Sequence, residues 1–212
     1  MTTKAASPEV GAAIIRQFGE AQLANVLLVS AVSNPTDPVQ WRVYSKDLYR
    51  PGELLMTVVD RTDKGWNATP AGAGKLLQRV PSKSIDFKRL KIDAKEARRI
   101  VAEAAKLAQK SFTQASYQLA TNETTGAPEW ALVLENADNS EVGFCVLSAE
   151  TGAVQHQDWT PETSQTAGAP KTSAEREGEA AARKVKQGVR KAWNWTEEAG
   201  RKTGGFFREL FR

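Results

Sequence analysis

The chain has 212 residues, 41% of them apolar, a formal charge of +4 and a single cysteine. That supplies enough apolar material for a packed core. Cys145 alone excludes an intrachain disulfide, and no stretch reaches the roughly 18 apolar residues of a membrane span. The charge is uneven: residues 1–172 hold 19 Lys and Arg against 19 Asp and Glu, whereas residues 173–212 hold 10 against 6. The body therefore lacks the converging cations needed to grip a nucleic acid.

The N-terminal MTTKAASPEV has no apolar core, and Leu23 to Val32 follows Glu9 and Glu20 and contains Asn25, so neither reads as a signal peptide. The expected location is the cytoplasm, with peripheral attachment to a membrane as an option, or the periplasm if a leader has been removed. Ser7 as N-cap, Pro8 at the first helical position and Glu9 in the first turn predict a helix. It carries Val10, Ile14, Ile15 and Phe18 on one face and ends at Gly19. Leu23 to Ser33, Val39 to Ser45 and Leu54 to Val59 then read as strands, with turns at Asn34-Pro35 and Pro51-Gly52. Ala71 to Val80 reads as a short helix and Pro81 to Lys91 as a connector. Gly72-Ala73-Gly74-Lys75 resembles a phosphate loop only in part: Thr69 stands where the first glycine belongs and Leu76 replaces the magnesium-binding hydroxyl.

Asp93 with Glu96 three residues on forms a capping box, and Ala97, Ile100, Val101, Ala104, Leu107 and Ala108 make the stripe of a second helix. Phe112 to Ala120, Glu129 to Leu134 and Glu141 to Ser148 follow as strands, with turns at Thr124-Thr125-Gly126 and Ala137-Asp138-Asn139. Trp130, Leu132 and Leu134 alternate with the more mixed Ala131, Val133 and Glu135, the pattern of a sheet carrying a helix on one side.

Residues 37–66 and 126–155 share a pattern at an offset of 89 positions: Trp41 with Trp130, Val43 with Leu132, Met56 with Cys145, Val58 with Leu147 and Thr62 with Thr151. Such periodicity predicts two copies of one unit. In the second copy a helix, three strands, an aromatic residue opening the middle strand and the terminal Val146-Leu147-Ser148-Ala149-Glu150-Thr151-Gly152-Ala153-Val154 together resemble the PepSY domain over residues 92–156. The first copy is degenerate, with Asp60-Arg61-Thr62-Asp63 in place of Ala149-Glu150-Thr151-Gly152. The resemblance implies a binding or inhibitory module, often extracytoplasmic and linked to proteases, without catalytic residues.

The residues that invite a chemical reading have simpler ones. His156 is the only histidine, so one chain cannot build a polyhistidine metal site or a triad drawing on a second histidine. Cys145 sits between Phe144 and Val146 in an apolar strand, without the basic or helix-terminal neighbour of a nucleophile. Trp41 and Trp130 read as core anchors, and Asp60 and Asp63 as ordinary turn acids. No catalytic residue, metal ligand or cofactor site is expected.

Thr160 to Thr172, TPETSQTAGAPKT, reads as a flexible linker. Beyond it Glu175, Glu177 and Glu179 precede Arg183, Lys184, Lys186, Arg190 and Lys191, the polarity a helix dipole favours. Ala182, Val185, Val189, Ala192, Trp193 and Thr196 recur at helical spacing, giving a basic amphipathic helix. After Gly204-Gly205, Phe206, Phe207, Leu210 and Phe211 share one side of a last turn, and such a cluster docks on the chain's own body, in a membrane interface or in a groove of a partner protein. The expected fold class is α+β: two tandem units, each a helix plus a three-stranded antiparallel sheet, then a linker and a C-terminal amphipathic helix. The boundaries are a first unit at 1–68, a connector at 69–91, a second unit at 92–158, a linker at 159–172 and the basic segment at 173–212. The expected function is non-enzymatic binding or scaffolding, by docking on a larger protein assembly or an anionic membrane surface. Val185, Val189, Trp193, Trp195, Phe206, Phe207, Leu210 and Phe211 would make the apolar contact, and Lys184, Arg190 and Lys191 the charged one. The runner-up is a PepSY-type inhibitor or regulator of a protease or other hydrolase. A nucleic acid does not suit the tail's glutamates and phenylalanines, and the sequence leaves oligomeric state open.

Overall fold

Alternating apolar residues and Gly- or Asn-centred turns dominate the body, and they assemble into one sheet. The computed structural model describes residues 8–74, 80–160 and Trp193. Helix α1 (Pro8–Phe18) and the short α2 (Glu20–Leu23) precede strands β1 (Val26–Asn34), β2 (Gln40–Lys46), β3 (Leu54–Thr62) and β4 (Gly65–Gly74). A 3-10 turn (Phe87–Arg89) leads to α3 (Ala94–Leu107), then β5 (Gln114–Thr121), β6 (Pro128–Glu135), β7 (Glu141–Ser148) and β8 (Val154–Trp159). The eight strands form a single antiparallel sheet in the order β4-β3-β2-β1-β5-β6-β7-β8. The first strands of the two halves pair at its centre, Val29 opposite Leu119 and Ala31 opposite Tyr117.

This overturns the expectation of two helix-plus-three-strand units. Each half has four strands, the sheet runs unbroken between them, and one core cluster draws on both. The two unforeseen strands, β4 and β8, are the edges. An edge strand needs little apolar content, because it packs on one side only and tolerates exposed polar groups on the other. GWNATPAGAG and VQHQDW accordingly carry no strong strand pattern. Pro70 is accommodated where the β3–β4 register shifts, between Met56 and Thr57, since a proline at a sheet edge can direct its missing N–H outward. The helix expected from Ala71 thus begins inside β4, and Leu23, expected in the first strand, closes α2.

Asp93 caps α3 as expected, its side chain accepting from the Glu96 N–H at 2.8 Å. Ala94, Ala97, Val101 and Ala105 face the sheet. At about 100° per residue Leu107 falls more than a quarter-turn from their centre, which explains why it is 88% exposed rather than part of the stripe. Helix α1 packs on β3 and β4, and α3 on β6. Both belong to the layer over Trp41, Val59, Tyr117, Trp130, Leu132 and Leu147. Trp41 and Trp130 are 1% and 0% exposed, with ring centroids 6.2 Å apart, and Tyr117 lies edge-on to both. Both indoles belong to one core cluster.

The offset is not uniform. Trp41 pairs with Val59 and Trp130 with Leu147, so the third strands correspond at an offset of 88, one less than the second strands. Met56 therefore matches Phe144, both on the face away from the helices, and Val59 matches Leu147. The expected matches Met56 with Cys145 and Val58 with Leu147 are corrected by one residue, which in a strand moves a side chain to the other face.

Candidate functional site

A strand buried on both faces places every side chain against something apolar, and several strands here are of that kind. Alternation sends Val29, Trp41, Val59, Leu119, Trp130 and Leu147 toward the helices. It sends Leu28 of β1, Tyr44 of β2, Met56 of β3, Ala120 of β5, Ala131 of β6, and Phe144 and Val146 of β7 to the opposite face. All seven residues of this second set are buried, and Val133 packs against them half-buried. No described helix lies on this face. What packs there is Trp193, 9% exposed, from the C-terminal segment.

Burying one tryptophan contributes about 2–3 kcal/mol before the cost of ordering the chain that carries it. Ala120 and Ala131, on adjacent strands, are the two smallest side chains of this set. The polar groups of the face follow from its strands. Glu129, which alternates with Trp130 to this side, is 2% exposed and accepts from Asn122 Nδ2 at 2.9 Å. Burial raises its pKa above the ordinary carboxylate value, opposed by hydrogen bonds from Asn122 and Gln155. Tyr44 is likewise pushed up by burial, opposed by the nearby Arg42 cation. His156 stacks obliquely near the Phe144 ring at 6.0 Å, and Asp158 stands opposite Phe144 on β8.

Of the residues expected to make the docking contact, only Trp193 can be placed. Val185, Val189, Trp195, Phe206, Phe207, Leu210, Phe211, Lys184, Arg190 and Lys191 lie outside the described residues, as do Ser7, Lys75 and nearly all of the expected linker and amphipathic helix. Gly72-Ala73-Gly74 is strand, paired with Met56, Leu55 and Leu54, and forms no loop that could cradle a phosphate. Cys145 is fully buried, and desolvation together with Asp158 pushes its thiol up to about 12. Asp60 accepts from Gln40 Nε2 at 2.7 Å across the strand pair. Among the described residues no cluster of His, Cys, Asp and Glu could hold a metal ion.

The Ser148-to-Val154 segment ties the sheet to the start of α3. Ser148 Oγ accepts from the Glu150 and Thr151 N–H groups, both at 3.2 Å. The Ala149 carbonyl accepts from the Lys91 and Ile92 N–H groups, both at 2.9 Å. Glu150 forms a bidentate pair with Arg89, whose remaining nitrogen donates to the Gly126 carbonyl at 2.8 Å. These contacts set the path of the connector and leave the second sheet face clear.

The sequence had signalled that face. Leu23 to Val32 is nearly continuous in apolar residues, and Phe144 and Val146 interleave with Cys145 and Leu147, so both sides of those strands are apolar. Ala131 and Val133 are short side chains beside Glu135, so the same face of β6 carries a weaker apolar signal. Compared with protein-family models, with curated proteins and with solved structures, the chain matches none.

Proposed function

We propose that the chain is a non-enzymatic binding or scaffold protein: a PepSY-like body carrying a basic amphipathic segment, residues 173–212, that docks on a larger protein assembly or an anionic membrane surface. The observation that supports this most is an apolar sheet face left uncovered by the described helices and met by an aromatic residue of that same segment. Such a face is built for contact with another element, whereas catalysis would require convergent polar groups around a cleft.

The test keeps the whole chain. Replacing Phe206, Phe207, Leu210 and Phe211 together by Ser removes four groups whose burial contributes about 1.5–3 kcal/mol each before ordering costs. Co-sedimentation with anionic vesicles, or recovery of a defined partner complex, should then be lost while the circular dichroism of the body is unchanged. Retention of both by the quadruple variant would overturn the proposal.

A further inference from the structure

The fold's own helices occupy one face of the sheet, and six of its strands present apolar side chains on the other. Trp193 is the described residue that packs there from outside the sheet, and residues 161–192 separate it from the end of the body at Thr160. In the sequence Trp193 belongs to the apolar stripe of the basic segment, beside Val189 and Ala192 and close to Arg190 and Lys191. The face holds charges of both signs: Glu129 lies within it, Asp158 faces the same way from β8 opposite Phe144, and Arg42 alternates to the same side of β2 as Tyr44. An indole from the apolar stripe of the basic segment is thus buried among the apolar side chains of this face.

We infer that the helix-free sheet face is a receptor for the chain's own C-terminal segment, anchored by Trp193, and that the segment cannot hold this face and an outside surface together. The inference rests on the proposed function in one respect only, that the segment has an outside surface to meet. Occupation in cis shields the apolar side of the segment, and engagement elsewhere requires Trp193 to leave the sheet. A linkage of this kind makes outside binding weaker by the fraction of time the segment is docked.

The test uses the full chain and two variants. Ala131→Lys puts a long cationic side chain on the apolar face that Trp193 packs against, where it opposes docking of the basic segment. Trp193→Ala removes the anchor and leaves the sheet untouched. Trypsin should cleave within residues 173–212 about tenfold faster in both variants than in the native chain, because docking restricts access to the segment. The strand signal in circular dichroism should stay the same, and binding of a dye that reports exposed apolar surface should rise in Trp193→Ala. With Ala131→Lys, binding to vesicles containing anionic lipid should increase severalfold, since its segment is intact and released.

Unchanged cleavage in both folded variants would overturn the inference. So would unfolding of both, which would make Trp193 part of an indispensable core. Protection of the segment that depends on protein concentration, with dimers seen by light scattering, would place the segment on a second copy and overturn docking in cis. Faster cleavage without any vesicle or partner binding would uphold docking in cis and defeat the proposed outside function instead.

Discussion

Trp41 and Trp130 stand opposite Val59 and Leu147 in their respective halves, and both indoles are buried in one core. Their polar atoms fare differently. Trp130 Nε1 donates to the Ile92 carbonyl at 2.9 Å, just ahead of the cap of α3, whereas Trp41 Nε1 is buried with no acceptor among the described residues. Two halves can therefore share the shape of a core anchor without sharing its hydrogen bond. Shape is set by the strands, and the Trp130 acceptor by the path of the chain into α3. Lys91 and Ile92 are fixed on Ala149 in the second half, and the first half enters its helix through residues 1–7, outside the described residues.

The largest effects should come from the two indoles. Trp41→Ala and Trp130→Ala should each cost about 3–5 kcal/mol in urea denaturation. The comparison is sharpened by Phe, which keeps most of the ring and removes the N–H. Trp130→Phe abandons the Ile92 carbonyl and should cost about 1 kcal/mol more than Trp41→Phe, which discards a donor already without a partner. Equal costs, or the reverse order, would show that the hydrogen bond does not distinguish the halves.

The hairpin ends of the two halves offer a smaller contrast. Gly65 has φ +106° with open space where a Cβ would stand, whereas Gly152 has φ +76° and its Cβ would meet Ile100 Cδ1 at 2.9 Å. Both substitutions by Ala carry the backbone cost of a left-handed residue, about 1 kcal/mol. Only Gly152→Ala must also shift a side chain of α3, so it should melt at a lower temperature than Gly65→Ala. If Gly65→Ala melts lower, Ile100 yields freely and the turn is not a packing contact.

How much of this could be read beforehand follows the same division. The six inner strands, the cap at Asp93 and the two buried indoles were legible, because alternation, capping and aromatic anchors are local signals. The edge strands were not, since Pro70, three glycines and the polar Gln155-His156-Gln157-Asp158 weaken any strand pattern. The pairing of β1 with β5 was invisible for another reason: it joins residues far apart in sequence, and nothing in either strand names its partner. The docking face was half legible. Trp193 belongs to a helical stripe in the sequence, but the face it joins, with Met56 and Phe144 on one side of the third strands, depends on a register that a uniform offset of 89 puts one residue out.

The smallest effect concerns one cross-strand pair. In the first half Gln40 faces Asp60 and donates to it, at an exposed position. The corresponding pair in the second half is Glu129 and Ser148, both buried, so the carboxylate has moved to the other strand and out of water. Burial raises the Glu129 pKa in the folded protein, which means that the folded state binds its proton more tightly than the unfolded chain does. The native protein therefore bears a cost at neutral pH, and the cost fades as pH falls through the folded pKa into the ordinary carboxylate range. Glu129→Gln keeps an oxygen for Asn122 Nδ2 and restores the side chain found at position 40. It should stabilise the protein at pH 7 by about 1 kcal/mol, the scale of one hydrogen bond, and the gain should shrink steadily on acidification. Denaturation curves at several pH values decide the matter: a variant less stable than the native chain at pH 7, by an amount independent of pH, would mean that Glu129 is ionised and well solvated by its partners, and that the two pairs differ in sequence without differing in energy.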